Sequence, residues 1–275
     1  CMLATKISFI NEMANVCGSH GADIDDVRAG IGHDRRIGFD FLKPGPGYGG
    51  SCFPKDIRAA IHMAASAGCP ARLLTAVDAV NEEQKQRFAD RVAAHLGVPV
   101  NKQIVAVLGL AFKANTDDIR ESPALVLIDT LLSAGARLRV TDPEAMPNVR
   151  ELYGDQLDYF ADPYQAAQGA DIVAIVTDWQ DYRRLDYHRL RDGMRGHSIF
   201  DGRNVLDPRE AVVEGFAYFG VGRDVKALRA ATRAADARTS SPSRSAARDE
   251  PERDVRFAFV GGCRIREAFG TPRAS

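Results

Sequence analysis

An α/β protein in two parts is expected: a helical part over residues 1–100, then a doubly wound parallel sheet over residues 101–223. Three observations predict it. As far as Gly97-Val98-Pro99, apolar residues recur at three- and four-residue steps, the helical period. From Lys102 the pattern changes to short apolar runs separated by helical segments, as in buried parallel strands. A chain of 275 residues with 45% hydrophobic content is also long enough for two ordinary domains.

The elements follow in order. Leu3, Ile7, Ile10, Met13 and Ala14 mark a helix that runs to about Cys17. It has no capping residue ahead of it, the pattern of a chain that began upstream. Gly18 to Gly32 reads as a turn and a short capped helix around Asp23-Ile24-Asp25. From Arg36 to Gly50 glycines and prolines are too frequent for regular structure, so this is a loop, and loops of such length inside compact domains usually have a function. Pro54 takes the first position of a helix carrying Ile57, Ala60, Ile61 and Ala64, which Gly68 ends. A longer helix is expected from Ala71 through Leu74, Val77, Phe88 and Val92 to Leu96.

In the second part, strands are expected at Ile104 to Leu108, Arg137 to Thr141, Ile172 to Val176 and Ser198 to Phe200, with Ala217 to Phe219 as an edge. Between the first two, Ser122-Pro123-Ala124 opens a helix that stops at Gly135, which completes a β-α-β unit. From Val225 onward there are 11 Lys/Arg against 6 Asp/Glu amid Ala and Ser, so residues 224–275 are expected to be a disordered basic tail. Phe257-Ala258-Phe259-Val260 within it is one isolated strand candidate.

Composition narrows the function. With 36 basic and 37 acidic side chains the formal charge is −1, so no global field draws nucleic acid or an anionic membrane. Any anionic ligand needs local cations. No apolar run reaches the ~20 residues of a membrane span. The five cysteines, Cys1, Cys17, Cys52, Cys69 and Cys263, form no C-x-x-C pair and no metal-ligand spacing, so a reducing cytoplasm without a metal site is expected.

Cys52 lies between a glycine-rich loop and a helix start, where unpaired N–H groups and the nearby Lys55 favour a thiolate. A nucleophile is one reading. A small apolar side chain in a core is the other, and it suits Cys17 and Cys69 better. Asp56, one turn on, either orients water beside the sulfur or balances the helix dipole. Lys113, after the first strand of the second part, points into the crevice where doubly wound folds bind ligands. Gly109 lacks the G-x-G-x-x-G spacing, so a dinucleotide site there is not supported, whereas a nucleotide sugar remains open.

Read together, Phe41-Leu42-Lys43, Gly47-Tyr48-Gly49-Gly50-Ser51-Cys52-Phe53-Pro54-Lys55-Asp56, Gly109-Leu110-Ala111-Phe112-Lys113, Thr116-Asp117-Asp118-Ile119-Arg120-Glu121-Ser122-Pro123 and Phe200-Asp201-Gly202-Arg203-Asn204 resemble the UDP-glucose dehydrogenase family in order and spacing, from about Leu3 to Gly222. The resemblance implies a helical middle domain, through which these enzymes pair as homodimers or higher oligomers, followed by a Rossmann-like UDP-binding domain. The family's N-terminal NAD-binding domain would be absent, as would the lysine and asparagine it carries just before the segment matching Cys1-Met2-Leu3. Lys6 does not replace that lysine.

It further implies Cys52 as nucleophile, Asp56 as its acid/base partner, and Phe41, Leu42, Lys43, Tyr48, Gly49, Lys113 and Arg203 around the UDP-glucose. Arg36 would reach a neighbouring subunit's substrate, and Lys55 and Arg120 would approach NAD. The implied activity is NAD-dependent oxidation of UDP-glucose to UDP-glucuronate through a thiohemiacetal and a thioester, with this chain alone inactive. Related GDP-mannose or UDP-N-acetyl-mannosamine dehydrogenases, and a non-catalytic nucleotide-sugar-binding fragment, are the alternatives.

Overall fold

Residues 1–223 are described in the structure, a computed structural model. The basic tail, its Phe257–Val260 strand candidate and Cys263 lie outside them. Four helices come first: α1 (Met2–His20), α2 (Ile24–Gly32), α3 (Phe53–Ser66) and α4 (Arg72–Ala93). Then follow β1 (Ile104–Leu108), α5 (Pro123–Ser133), β2 (Arg137–Thr141), α6 (Met146–Tyr153), β3 (Asp158–Tyr159) and α7 (Pro163–Ala167). The described part closes with β4 (Ile172–Ile175), α8 (Tyr187–Gly193), β5 (Ser198–Asp201), α9 (Pro208–Val213) and β6 (Ala217–Gly220).

All the strands pair in parallel in the order β3-β2-β1-β4-β5-β6, the doubly wound arrangement, with β6 at one edge as expected. The helical and sheet parts are not separate bodies. One core joins Ile10 and Ala14 of α1 and Phe88 and Val92 of α4 to Val105 and Val107 of β1 and Phe200 of β5. The opposite sheet face buries Ala106, Leu108, Val173 and Ile199 under Trp179, Tyr182 and Phe216. Burial on both faces is why β1 and β4 are apolar throughout. At the sheet's edge Ile24 N–H donates to Gly222 O (2.9 Å) and Arg223 pairs with Asp25 (2.6 Å), which fastens α2 to the strand end.

Local chemistry sets the helix ends. Asp23 accepts from Asp25 N–H at the start of α2, and Ser122 from Ala124 N–H at the start of α5. Gly21 closes α1 at φ 71°. Some expectations shift. Helix α3 begins at Phe53, so Pro54 is its second residue, and α4 stops at Ala93 rather than Leu96. Cys69 is exposed, not core, because it lies past the last turn of α3, in the exposed turn before α4. Among the described residues no helix is long and apolar enough to cross a membrane.

Candidate active site

The loop before α3 is held by buried side-chain amides. Asn11 of α1 accepts from Gly45 N–H (2.8 Å), and Gln84 of α4 donates to Gly45 O (2.7 Å). Asn81, also on α4, accepts from Tyr48 N–H (2.8 Å) and donates to Tyr48 O (3.0 Å). A loop rich in glycine has no ladder partners, and these amides replace them. Sequence reasoning missed all three. Their signal was polar residues on otherwise inward helical faces.

Further along, Gly49 and Gly50 pass against the 109–122 segment. A Cβ on Gly49 would fall 2.3 Å from Glu121 O, and Gly50, at φ +83°, would put one 2.8 Å from the Phe112 ring. Only glycine fits there. Gly50 N–H donates to Arg120 O (2.7 Å), so the loop is stitched to that segment immediately before Cys52.

Cys52 is exposed at the N-cap of α3, and its thiol lies 3.8 Å from Ser51 Oγ. It lines a cavity of about 380 Å³ with Phe41, Tyr48, Phe112, Lys113 and Arg203. Phe53, between Phe41 and Tyr48, packs against both rings. Burial, reinforced by Asp78, pushes the Tyr48 hydroxyl up to about 12, so the ring enters the cavity wall uncharged. Its hydroxyl has no hydrogen-bond partner among the described residues.

The cations of this cavity come from the sheet part. Arg203, after β5, donates to Val176 O (2.7 Å) and Phe112 O (3.0 Å). Desolvation lowers its pKa from the usual guanidinium value, yet the group stays charged. Lys113 Nζ lies 5.4 Å from the Phe112 ring centroid. Lys43 opens an adjoining cavity of about 270 Å³, which shares Arg203 and adds Arg28 and Arg183. The two cavities form an apolar end at Cys52 and a basic end at Lys43, with Arg203 between them.

The remaining expected residues lie elsewhere. Leu42 buries its side chain in the core, which leaves only its main chain for a ligand. Asp56 is exposed near Lys55 (3.8 Å), one turn from Cys52 and outside the cavity lining. Arg120 is exposed and tied to Asp118 (2.7 Å), whose carboxyl it draws below the usual range. Arg36 is 85% exposed and paired with Asp34 (2.5 Å), away from the cavity. Among the described residues no cluster could hold a metal ion.

The sheet does not fit NAD. Where a dinucleotide fold aims its first-turn N–H groups at a pyrophosphate, Leu110 and Ala111 donate instead to Asp142 Oδ2 (2.7 and 3.1 Å). Trp179 Nε1 joins them (3.0 Å), while Asp142 Oδ1 accepts from Glu144 and Ala145 N–H. A fixed buried carboxylate occupies the phosphate position.

A thiol and two cations thus line one cavity of a doubly wound α/β protein. Residues 1–83 match the UDP-glucose/GDP-mannose dehydrogenase family, central domain, and residues 106–208 its UDP binding domain. The chain belongs to this family. It is 46% identical over 221 residues to UDP-glucose 6-dehydrogenase of Rhizobium meliloti (80% of this chain, 50% of that one). To UDP-glucose 6-dehydrogenase TuaD of Bacillus subtilis it is 42% identical (80% and 48%). A solved UDP-glucose dehydrogenase from Pyrobaculum islandicum superposes with TM-score 0.70 at 38% identity, covering 81% of this chain and 49% of that one. The chain thus spans about half the length of the relatives it matches.

Proposed function

We propose that this chain supplies the nucleotide-sugar site and the nucleophile of an NAD-dependent UDP-glucose 6-dehydrogenase. The observation that carries the reading is that Cys52, Lys113 and Arg203 line one cavity, which adjoins the basic one at Lys43 through Arg203. Lys113, Arg203 and Lys43 bind the diphosphate and uridine by charge-assisted hydrogen bonds. That leaves the hexose beside Phe41, Tyr48 and the thiol.

NAD, which the rest of the whole protein would hold, would supply the hydride acceptor, one molecule for each of the two two-electron oxidations. The chain's own residues manage the carbonyl. The Cys52 thiolate adds to the aldehyde carbon, forming a C–S bond while the oxygen takes a proton, which keeps the aldehyde bound. At the thioester level water attacks the same carbon, the C–S bond breaks, and the thiolate leaves with the carboxylate formed. Asp56 takes the proton of that water. Lys55 and Arg120, both exposed, would approach the NAD.

UDP-glucose is favoured over the alternatives by identity: a solved UDP-D-ManNAc dehydrogenase from Pyrococcus horikoshii is only 25% identical, against 38% for the Pyrobaculum enzyme. Pairing of two copies through the helical part is supported by Met2, Phe9 and Val16, exposed apolar residues seven apart along α1. In such a pair Arg36 is free to turn toward a neighbour. The test measures NADH formation and UDP-glucose binding on one preparation of this chain. Binding without turnover is expected, since loss of the positioned hydride acceptor removes on the order of 7–11 kcal/mol of rate advantage. Steady NADH production that vanishes in Cys52→Ala overturns the assignment of NAD to a part outside the chain.

A further inference from the structure

We infer that Glu121 is a positioning residue whose carboxylate braces the Cys52 loop against α3 and α4; the inference rests on the reading of Cys52 as nucleophile. Glu121 accepts from Arg58 Nη1 (2.8 Å) and from Lys85 Nζ (3.1 Å). Arg58 stands on the first turns of α3, the helix that Cys52 caps. Lys85 is on α4, with its side chain only 2% exposed, and its other carboxylate partner is Glu82 (2.9 Å).

The same residue reaches the loop through its main chain. Its carbonyl is the atom that leaves Gly49 no room for a Cβ, and the preceding carbonyl, of Arg120, takes Gly50 N–H. Glu121 adopts φ 55°, a left-handed conformation that a residue with a side chain holds only when its surroundings enforce it. The two cations supply that enforcement. Lys85 in turn lies under Gly47, where an added Cβ would fall 2.9 Å from its Cγ. One carboxylate therefore ties together the nucleophile's helix, the helix beneath the loop and the strand of chain against which the loop is stitched.

The test compares the wild-type chain with Glu121→Gln by two readouts. Hydrogen exchange at the Gly50 amide is expected to quicken by about tenfold or more in the variant, as local opening becomes easier, with exchange in α1 unchanged. At UDP-glucose about ten times its Kd, the ligand is expected to slow iodoacetamide labelling of wild-type Cys52 about tenfold. In Glu121→Gln that protection is expected to fall to less than about threefold after adjustment for any change in Kd, with Cys69 labelling at its wild-type rate as the check on global unfolding. Unchanged exchange and full protection in a folded Glu121→Gln overturn the brace. If Glu121→Gln fails to fold, Arg58→Met removes one arm while leaving the Lys85 contact, and the same two outcomes decide. Failure of the wild type to bind UDP-glucose defeats the nucleotide-sugar reading alone, because the exchange readout needs no ligand.

Discussion

Two ion pairs of similar length lie in this chain under opposite conditions. Arg36 and Asp34 meet at 2.5 Å on an exposed turn, and Lys85 and Glu121 at 3.1 Å beneath the Cys52 loop. Distance alone would rank the first as stronger. Burial reverses the order: water and salt screen the exposed pair, whereas a lysine that is 2% exposed has lost its hydration and depends on its carboxylates. The site follows the same division. Residues that fix the loop, Asn11, Asn81, Gln84 and Lys85, are buried, whereas Lys55, Asp56 and Arg120 at the rim are exposed.

The largest effect is expected at the buried pair. Lys85→Met should destabilise the chain by about 3 kcal/mol, the low end for breaking a buried pair because Glu121 keeps some solvent contact, and thermal melting measures it. Next comes Asn81→Ala, which strands Tyr48 N–H and O inside the protein; a loss of about 2 kcal/mol is expected from the same melts. For ligand binding, Arg203→Ala should weaken UDP-glucose by about 1.5–3 kcal/mol in a calorimetric titration, the scale of a hydrogen bond to a charged group. Smallest of all, Arg36→Ala should leave the melting temperature of the chain where it is. If Arg36→Ala instead costs as much as Lys85→Met, burial is not what separates the two pairs.

Acid sharpens the comparison. Burial alone would raise the Glu121 carboxyl, but Arg58 and Lys85 outweigh it and hold the group below its ordinary value of 4.5. A depressed carboxyl contributes stability above its unfolded pKa and loses it as pH falls through the folded one. The stability gap between wild type and Glu121→Gln should thus be full above about pH 4.5 and close below it, as melting across pH will show. A gap that widens on acidification contradicts the brace.

How much of this was legible follows from what each residue depends on. The strands β1 and β4 are visible as apolar runs because both sheet faces are covered there, whereas β2 alternates Arg137 and Arg139 with the buried Leu138 and Val140. Strand β3 is only Asp158–Tyr159, too short to carry a period, and it exists because Arg139 and Val140 offer it partners. Helices α6 to α9, each of eight residues or fewer, were unseen for the same reason of length, although Asp162-Pro163 and Asp207-Pro208 are readable helix starts. Cys52 and its loop stood out through glycine and proline chemistry. What remained hidden was the frame beneath: Asn11, Asn81, Gln84 and Lys85 look like solvent residues until the loop docks on them. Asp142 was equally silent, since its role depends on the turn after β1 folding back over it.

The central claim is that the basic end of this cavity is built for UDP and its apolar end for a hexose beside Cys52. Calorimetric titration of the chain with UDP-glucose, UDP and GDP-mannose tests it most directly. The account predicts that UDP-glucose and UDP both bind, that UDP-glucose binds the more tightly, that Lys113→Ala weakens both, and that GDP-mannose gives no heat at the same concentrations. Binding of GDP-mannose in preference to UDP-glucose, or affinity for UDP-glucose that Lys113→Ala leaves untouched, would contradict it.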